Sequence, residues 1–193
     1  MSIQIKAKKN INVEYIKCCD QKLENDFEIK LNCNVCFFKS KELLEKQIGE
    51  DLPDWVIGTF KGNNIFLLDK ACWKYPNITS YEKLIIHELT HIYTNHITQE
   101  CPIWIMEGLA MFYASQIEEL LIDNQKQVLN PYYLSYEDDI YFHAASIIKE
   151  LIKWYDVKIL VKRLYHNMEK YYQDPIVGVD VIEALVNGLN KAQ

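Results

Sequence analysis

Apolar residues recur at helical spacing over residues 12–27, where Val13, Ile16, Cys19, Leu23 and Phe27 share one face. Asn32–Phe38 reads as a short strand, and Ser40–Ile48 as an amphipathic helix ended by Gly49. Trp55–Phe60 and Ile65–Asp69 are strand-like runs around Lys61-Gly-Asn-Asn64, which predicts a hairpin. From Thr79 onward the period becomes helical. Thr79-Ser-Tyr-Glu82 has the form of a capping box and opens a helix that runs to about Ile97. Pro102 suits the first position of the next helix, which is expected to reach about Ile122. Asp123–Asp139 is polar, carries tyrosines at 132, 133 and 136, and reads as a loop. Helices are expected after it at about 141–155, 157–170 and 177–189. A mixed first part (about 1–78) followed by an all-helical second part (about 79–193) is an α+β arrangement. No repeat, charge block or Gly/Ser linker divides it, so a single domain over 1–193 is expected.

At 193 residues the chain is long enough to bury a core without staples. Hydrophobic residues at 49% and charged residues at 25% exclude a disordered chain. Twenty-one basic against 27 acidic residues leave a net charge of -6, a poor footprint for a nucleic-acid partner. The lysines of the last helices read as solvated faces. The N-terminal lysines have no apolar stretch behind them, so no secretory signal is expected. The longest apolar runs, Ile103–Met106 and Leu109–Ala114, fall far short of the ~20 residues that cross a bilayer. The expectation is a cytoplasmic protein with no membrane partner, its six cysteines reduced. Cys33 and Cys36 lie three apart in the expected strand and point to opposite faces, with no second C-x-x-C to complete a zinc site. They read as half-buried thiols.

Inside the helix opened by Thr79 lies His87-Glu88-Leu89-Thr90-His91. Histidines at i and i+4 sit one turn apart on one helix face, where their imidazoles converge on one metal ion. On a helical wheel with Ile85 at zero, Ile85, Ile86, Leu89, Ile92, Tyr93 and Ile97 span roughly −20° to 120°. His87 and His91 fall near 200° and 240°, with Glu88 near 300°, so the three leave the apolar face together. A chain of this composition should contain about 0.01 matches to this pattern by chance.

A catalytic zinc takes a third protein ligand and keeps a fourth position open. Thr94 and Ile97 exclude the metzincin continuation, and Thr90 disfavours peptide deformylase, which needs Asp there. His96 turns back toward the apolar arc and is expected to be structural. Glu107, in Trp104-Ile-Met-Glu-Gly-Leu-Ala110, is the best third ligand: it shares a helical stripe with Ile103, Trp104, Ala110 and Met111. An ionised carboxylate in such a stripe costs several kcal/mol without a partner, which a metal supplies. With a short turn, His91 lies ~9 Å before it and Glu107 ~7.5 Å after it, nearly level on antiparallel helices. Gly108 and Ala110 would let those helices approach closely. Glu100 sits in the turn, and Glu118 and Glu119 lie too far along.

HELTH followed by Pro-x-Trp-x-x-Glu-Gly-x-Ala resembles the gluzincin metallopeptidases of the thermolysin-like clan, most of all the peptidase MA-like domains. Tyr141-Phe-His-Ala-Ala-Ser-Ile-Ile-Lys-Glu-Leu151 is similar to the helix that follows in that family, and Trp55–Asp69 to the segment before the zinc helix. The resemblance spans about 55–170; the residues before 50 add little to it, and the tail after 170 is shorter than in longer members. It implies a zincin-like fold with the active-site helix between a small mixed lobe and a helical lobe. It also implies Zn2+ held by His87, His91 and Glu107, with Glu88 as general base toward a zinc-bound water in peptide-bond hydrolysis. Tyr141, or failing it His143, becomes the oxyanion donor, and a strand of the 55–69 hairpin an edge for an extended peptide or protein substrate. The tyrosine-rich loop would then border the cleft. A zincin-like regulatory or protein-binding module with structural zinc is the alternative. The intact Glu88 argues against it, since a structural site has no use for a base.

Overall fold

The computed structural model describes residues 2–5, 10–74, 79–122, 126–165 and 168–191. Residues 6–9 of the N-terminal stretch, 123–125 of the expected loop and 166–167 of the expected 157–170 helix lie outside the described residues. Among the described residues the fold is mixed α+β, with a small four-stranded sheet and a mostly helical remainder. Two compact units cover residues 1–93 and 94–193, and their boundary falls inside the third helix. Among the described residues no helix is long and apolar enough to cross a membrane.

The first unit runs β1 (Ser2–Ile5), α1 (Val13–Phe27), β2 (Asn32–Phe38), α2 (Lys41–Ile48), β3 (Gly58–Lys61), β4 (Asn64–Leu68) and the larger part of α3 (Tyr81–Ile97). The sheet order is β1-β2-β4-β3. β2 pairs in parallel with both β1 and β4, setting Ile3 opposite Cys33 and Val35 opposite Ile65. Parallel neighbours need crossover connections, and α1 and α2 lie in them. β3 returns antiparallel to β4 through a tight turn at Gly62 and Asn63, where Gly62 takes φ 56. The expected strand over Trp55–Phe60 begins only at Gly58. A turn from Pro53 uses the Val56 N–H, which donates to the Pro53 carbonyl at 3.1 Å, and Trp55 is exposed. β1 was not expected, because four residues are too few for a period to declare itself.

Local chemistry sets the helix ends. Asn12 caps α1 by accepting from the Tyr15 N–H. Ser40 caps α2, and Gly49 ends it in the left-handed region at φ 89. For α3 the cap is Ser80, whose Oγ accepts from the Lys83 N–H at 3.2 Å. The expected Thr79 box is therefore displaced by one residue, and Glu82 instead accepts from the Asn12 N–H at 2.8 Å. Residues 84–94 of α3 are buried around the whole circumference, more completely than a one-sided wheel implies.

The second unit holds the last turn of α3, then α4 (Ile103–Tyr113), α5 (Ile117–Leu121), α6 (Ile140–Trp154), α7 (Val157–Arg163), α8 (Met168–Gln173) and α9 (Val179–Lys191). The helix expected from Pro102 to Ile122 is broken. Ser115 adopts φ 53 between α4 and α5, and the break turns the buried Ile117 inward on a helix that packs against α6. Within the expected loop, Pro131–Tyr133 and Tyr136–Asp138 form single 3-10 turns.

Helices α4 and α6 form the central pair of this unit. A methyl group added to Gly108 would lie 2.3 Å from Ile148 Cγ1 and 3.3 Å from the Ala144 carbonyl oxygen. The close approach expected of Gly108 is thus made to α6. Gly108→Ala should destabilise the protein by ~1–3 kcal/mol through overpacking, read as a shifted denaturant midpoint with an unchanged slope. A midpoint equal to wild type would show that the two helices separate at no cost.

Candidate metal centre

His87 and His91 lie one turn apart in the most buried stretch of α3, 9% and 7% exposed. Their ring centroids are 4.7 Å apart with planes at 81°. The edge strand β3 contributes Phe60, which stacks on His91 at 5.9 Å and 26°. That contact lies along one face of the imidazole, and sequence offered no sign of it because strand and helix meet only in the fold. Glu88 is 7% exposed. Thr90 spends its hydroxyl on the Ile86 carbonyl at 2.8 Å. His96, expected to turn toward the apolar arc, is exposed near the helix end.

Behind the histidines, Tyr93 donates to Asp20 Oδ1 on α1 at 2.8 Å, and its ring lies 5.4 Å from Phe27. Burial raises the Asp20 carboxyl above the usual carboxylate range against the pull of that hydrogen bond. Burial, and then the Asp20 carboxylate, push the Tyr93 phenol upward as well. On β2, burial pushes the Cys33 thiol up to about 12, in keeping with an inert core thiol. All six cysteines are free.

Glu107 is on α4 and is 2% exposed, with Trp104, Ala110 and Met111 buried on the same helix. Its Oε1 accepts a 2.7 Å hydrogen bond from the Tyr136 hydroxyl. Tyr141 lies beside that tyrosine, ring centroids 6.0 Å apart. His143 is buried, and its Nδ1 accepts from the Leu129 N–H at 3.1 Å. Burial lowers the pKa of this imidazole, and its hydrogen bond with the Leu129 N–H anchors the loop before α6. Trp104 meets Tyr132 edge-on at 5.6 Å, and the Tyr132 hydroxyl donates to the Val177 carbonyl at 2.5 Å. Glu100 and Glu119 are exposed, and Glu118 is paired at the surface with Lys149 at 2.8 Å.

His87, His91 and Glu107 each offer one ligand atom, and the three atoms lie within 4.8 Å of one another. Compared with protein-family models, with curated proteins and with solved structures, the chain matches none. Two imidazoles and one carboxylate are the donor set of a catalytic zinc with an open position. Ligand atoms ~2.0–2.1 Å from a tetrahedral ion sit about 3.3 Å apart. Two imidazoles and a carboxylate, each offering an atom within 4.8 Å of the others, are donors of the kind such an ion takes.

Proposed function

We propose that this chain is a zinc metallopeptidase of the gluzincin type with a zincin-like fold. The observation that carries the reading is the convergence of Glu107 on the two histidines of the HELTH helix. His87, His91 and Glu107 would hold the ion. Zinc, when bound there, supplies a Lewis acid that acidifies a water and polarises the scissile carbonyl.

The chain's own groups do the rest. Glu88, adjacent to His87 on a rigid helix and outside the three-ligand group, takes a proton as the water oxygen bonds to the carbonyl carbon. It returns that proton to the amine nitrogen as the C–N bond breaks. The Tyr141 hydroxyl is the proposed donor to the developing oxyanion; His143 is the second choice, with its Nδ1 already taken by the Leu129 N–H. β3 ends the sheet order, which supports the pairing of an extended peptide or protein segment along its outer edge.

The test is an unbiased peptide library incubated with the zinc-loaded protein, with and without a chelator. Cleavage that the chelator abolishes is the expected result. A library left intact by fully loaded protein would replace the peptidase by a binding module with structural zinc.

A further inference from the structure

Glu107 is reached by a residue outside the HELTH and WIMEGLA segments. Tyr136 opens the single 3-10 turn Tyr136–Asp138, and the residue is 41% exposed although the carboxylate it touches is buried. The turn is internally committed. Ser135 donates to Asp138 Oδ2 through both N–H and Oγ, at 2.9 and 2.8 Å, and its Oγ accepts from the Glu137 N–H at 3.3 Å. Next in the chain, Asp139 pairs with Lys126 at 2.6 Å. The Tyr136 ring also leans on Tyr141. A phenol is thus delivered to one defined oxygen by a turn whose own polar groups are engaged.

The terminal torsion of a glutamate is broad and nearly two-fold, so an untethered carboxylate presents either oxygen over a range of angles. A hydrogen bond from a fixed hydroxyl to one oxygen removes that freedom, and a bond to an ionised acceptor is among the stronger ones. Supports of this kind set the orientation and basicity of a ligand.

We propose that Tyr136 is a positioning residue for metal binding: by holding Glu107 Oε1 it presents Oε2, which is buried from solvent, as the single ligand oxygen for a divalent cation gathered with His87 and His91. The inference rests on the metal site proposed above. It adds the 135–138 turn to the determinants of cation affinity.

The experiment measures zinc affinity of the full chain by competition with a chromophoric chelator, alongside the visible spectrum of the cobalt-substituted protein. Tyr136→Phe, which deletes only the hydroxyl, should weaken zinc about 10- to 100-fold and alter the cobalt absorption bands. The melting temperature of the metal-free variant should match wild type. Tyr133→Phe removes an exposed hydroxyl from the same loop and should leave affinity unchanged. Wild-type affinity and spectrum in Tyr136→Phe would overturn the inference while leaving the metal site standing. A lower metal-free melting temperature with unchanged affinity would overturn it too, by making Tyr136 a structural prop. Failure of the wild type itself to bind zinc would instead remove the site on which it rests.

Discussion

Replacing His91 with alanine is expected to strip the protein of its zinc. The wild type should carry about one ion per chain, held by three side chains whose ligand atoms already lie within 4.8 Å of one another. Removing one imidazole leaves a single imidazole and a carboxylate. Apparent binding energies of ~10–16 kcal/mol shared over four ligands make each worth about 3–4 kcal/mol. Affinity should therefore fall by about a hundred- to a thousand-fold. The same change appears in thermal melts. At zinc a thousand-fold above its dissociation constant the wild type gains ~4 kcal/mol, whereas the variant at that concentration should gain only ~0.4–1.4 kcal/mol. Alanine is the best helix former, so the α3 backbone persists, and Phe60 merely loses the ring it stacks on. Metal analysis and paired melts with and without zinc decide the matter. Full occupancy in the variant would take His91 out of the ligand set.

Glu88→Gln should do the opposite: keep the metal and the fold but lose the chemistry. Glu88 neighbours His87 yet is not one of the three converging groups, and glutamine matches it in shape. A general base contributes typically 10²- to 10⁴-fold, so turnover of any peptide found in the library should fall by about that factor. Zinc content and melting temperature should be unchanged. A glutamine variant that cleaves at the wild-type rate would deprive Glu88 of its role as base.

Much of the local structure is legible in the residues. β2, α1 and α2 lie where apolar spacing, Asn12, Ser40 and Gly49 place them, because each of those signals acts within a turn or two of chain. What was not legible depends on partners remote in sequence. β1 exists through its pairing with β2, some thirty residues on. Gly108 faces Ile148 and Ala144, which no helical wheel of α4 reveals. The break at Ser115 answers to packing around α6 rather than to any Gly or Pro. At the candidate centre, HELTH and Glu107 were readable because a metal demands particular donors at particular spacings. The tyrosine-rich loop was expected at the cleft, but the particular contacts of Phe60 and Tyr136 were not legible, since a ring that touches a ligand residue can come from any segment that passes by.

The buried acid–phenol pair between Asp20 and Tyr93 bears on how portable the motif is. Helix α1 lies upstream of everything that resembles the peptidases, yet it fastens the helix that carries both histidines. A minimal fragment drawn around HELTH and WIMEGLA would sever that fastening and lay bare a phenol two residues from a proposed ligand. The motif is thus no self-contained cassette, and a graft into another scaffold would have to bring an equivalent of the first twenty-seven residues with it.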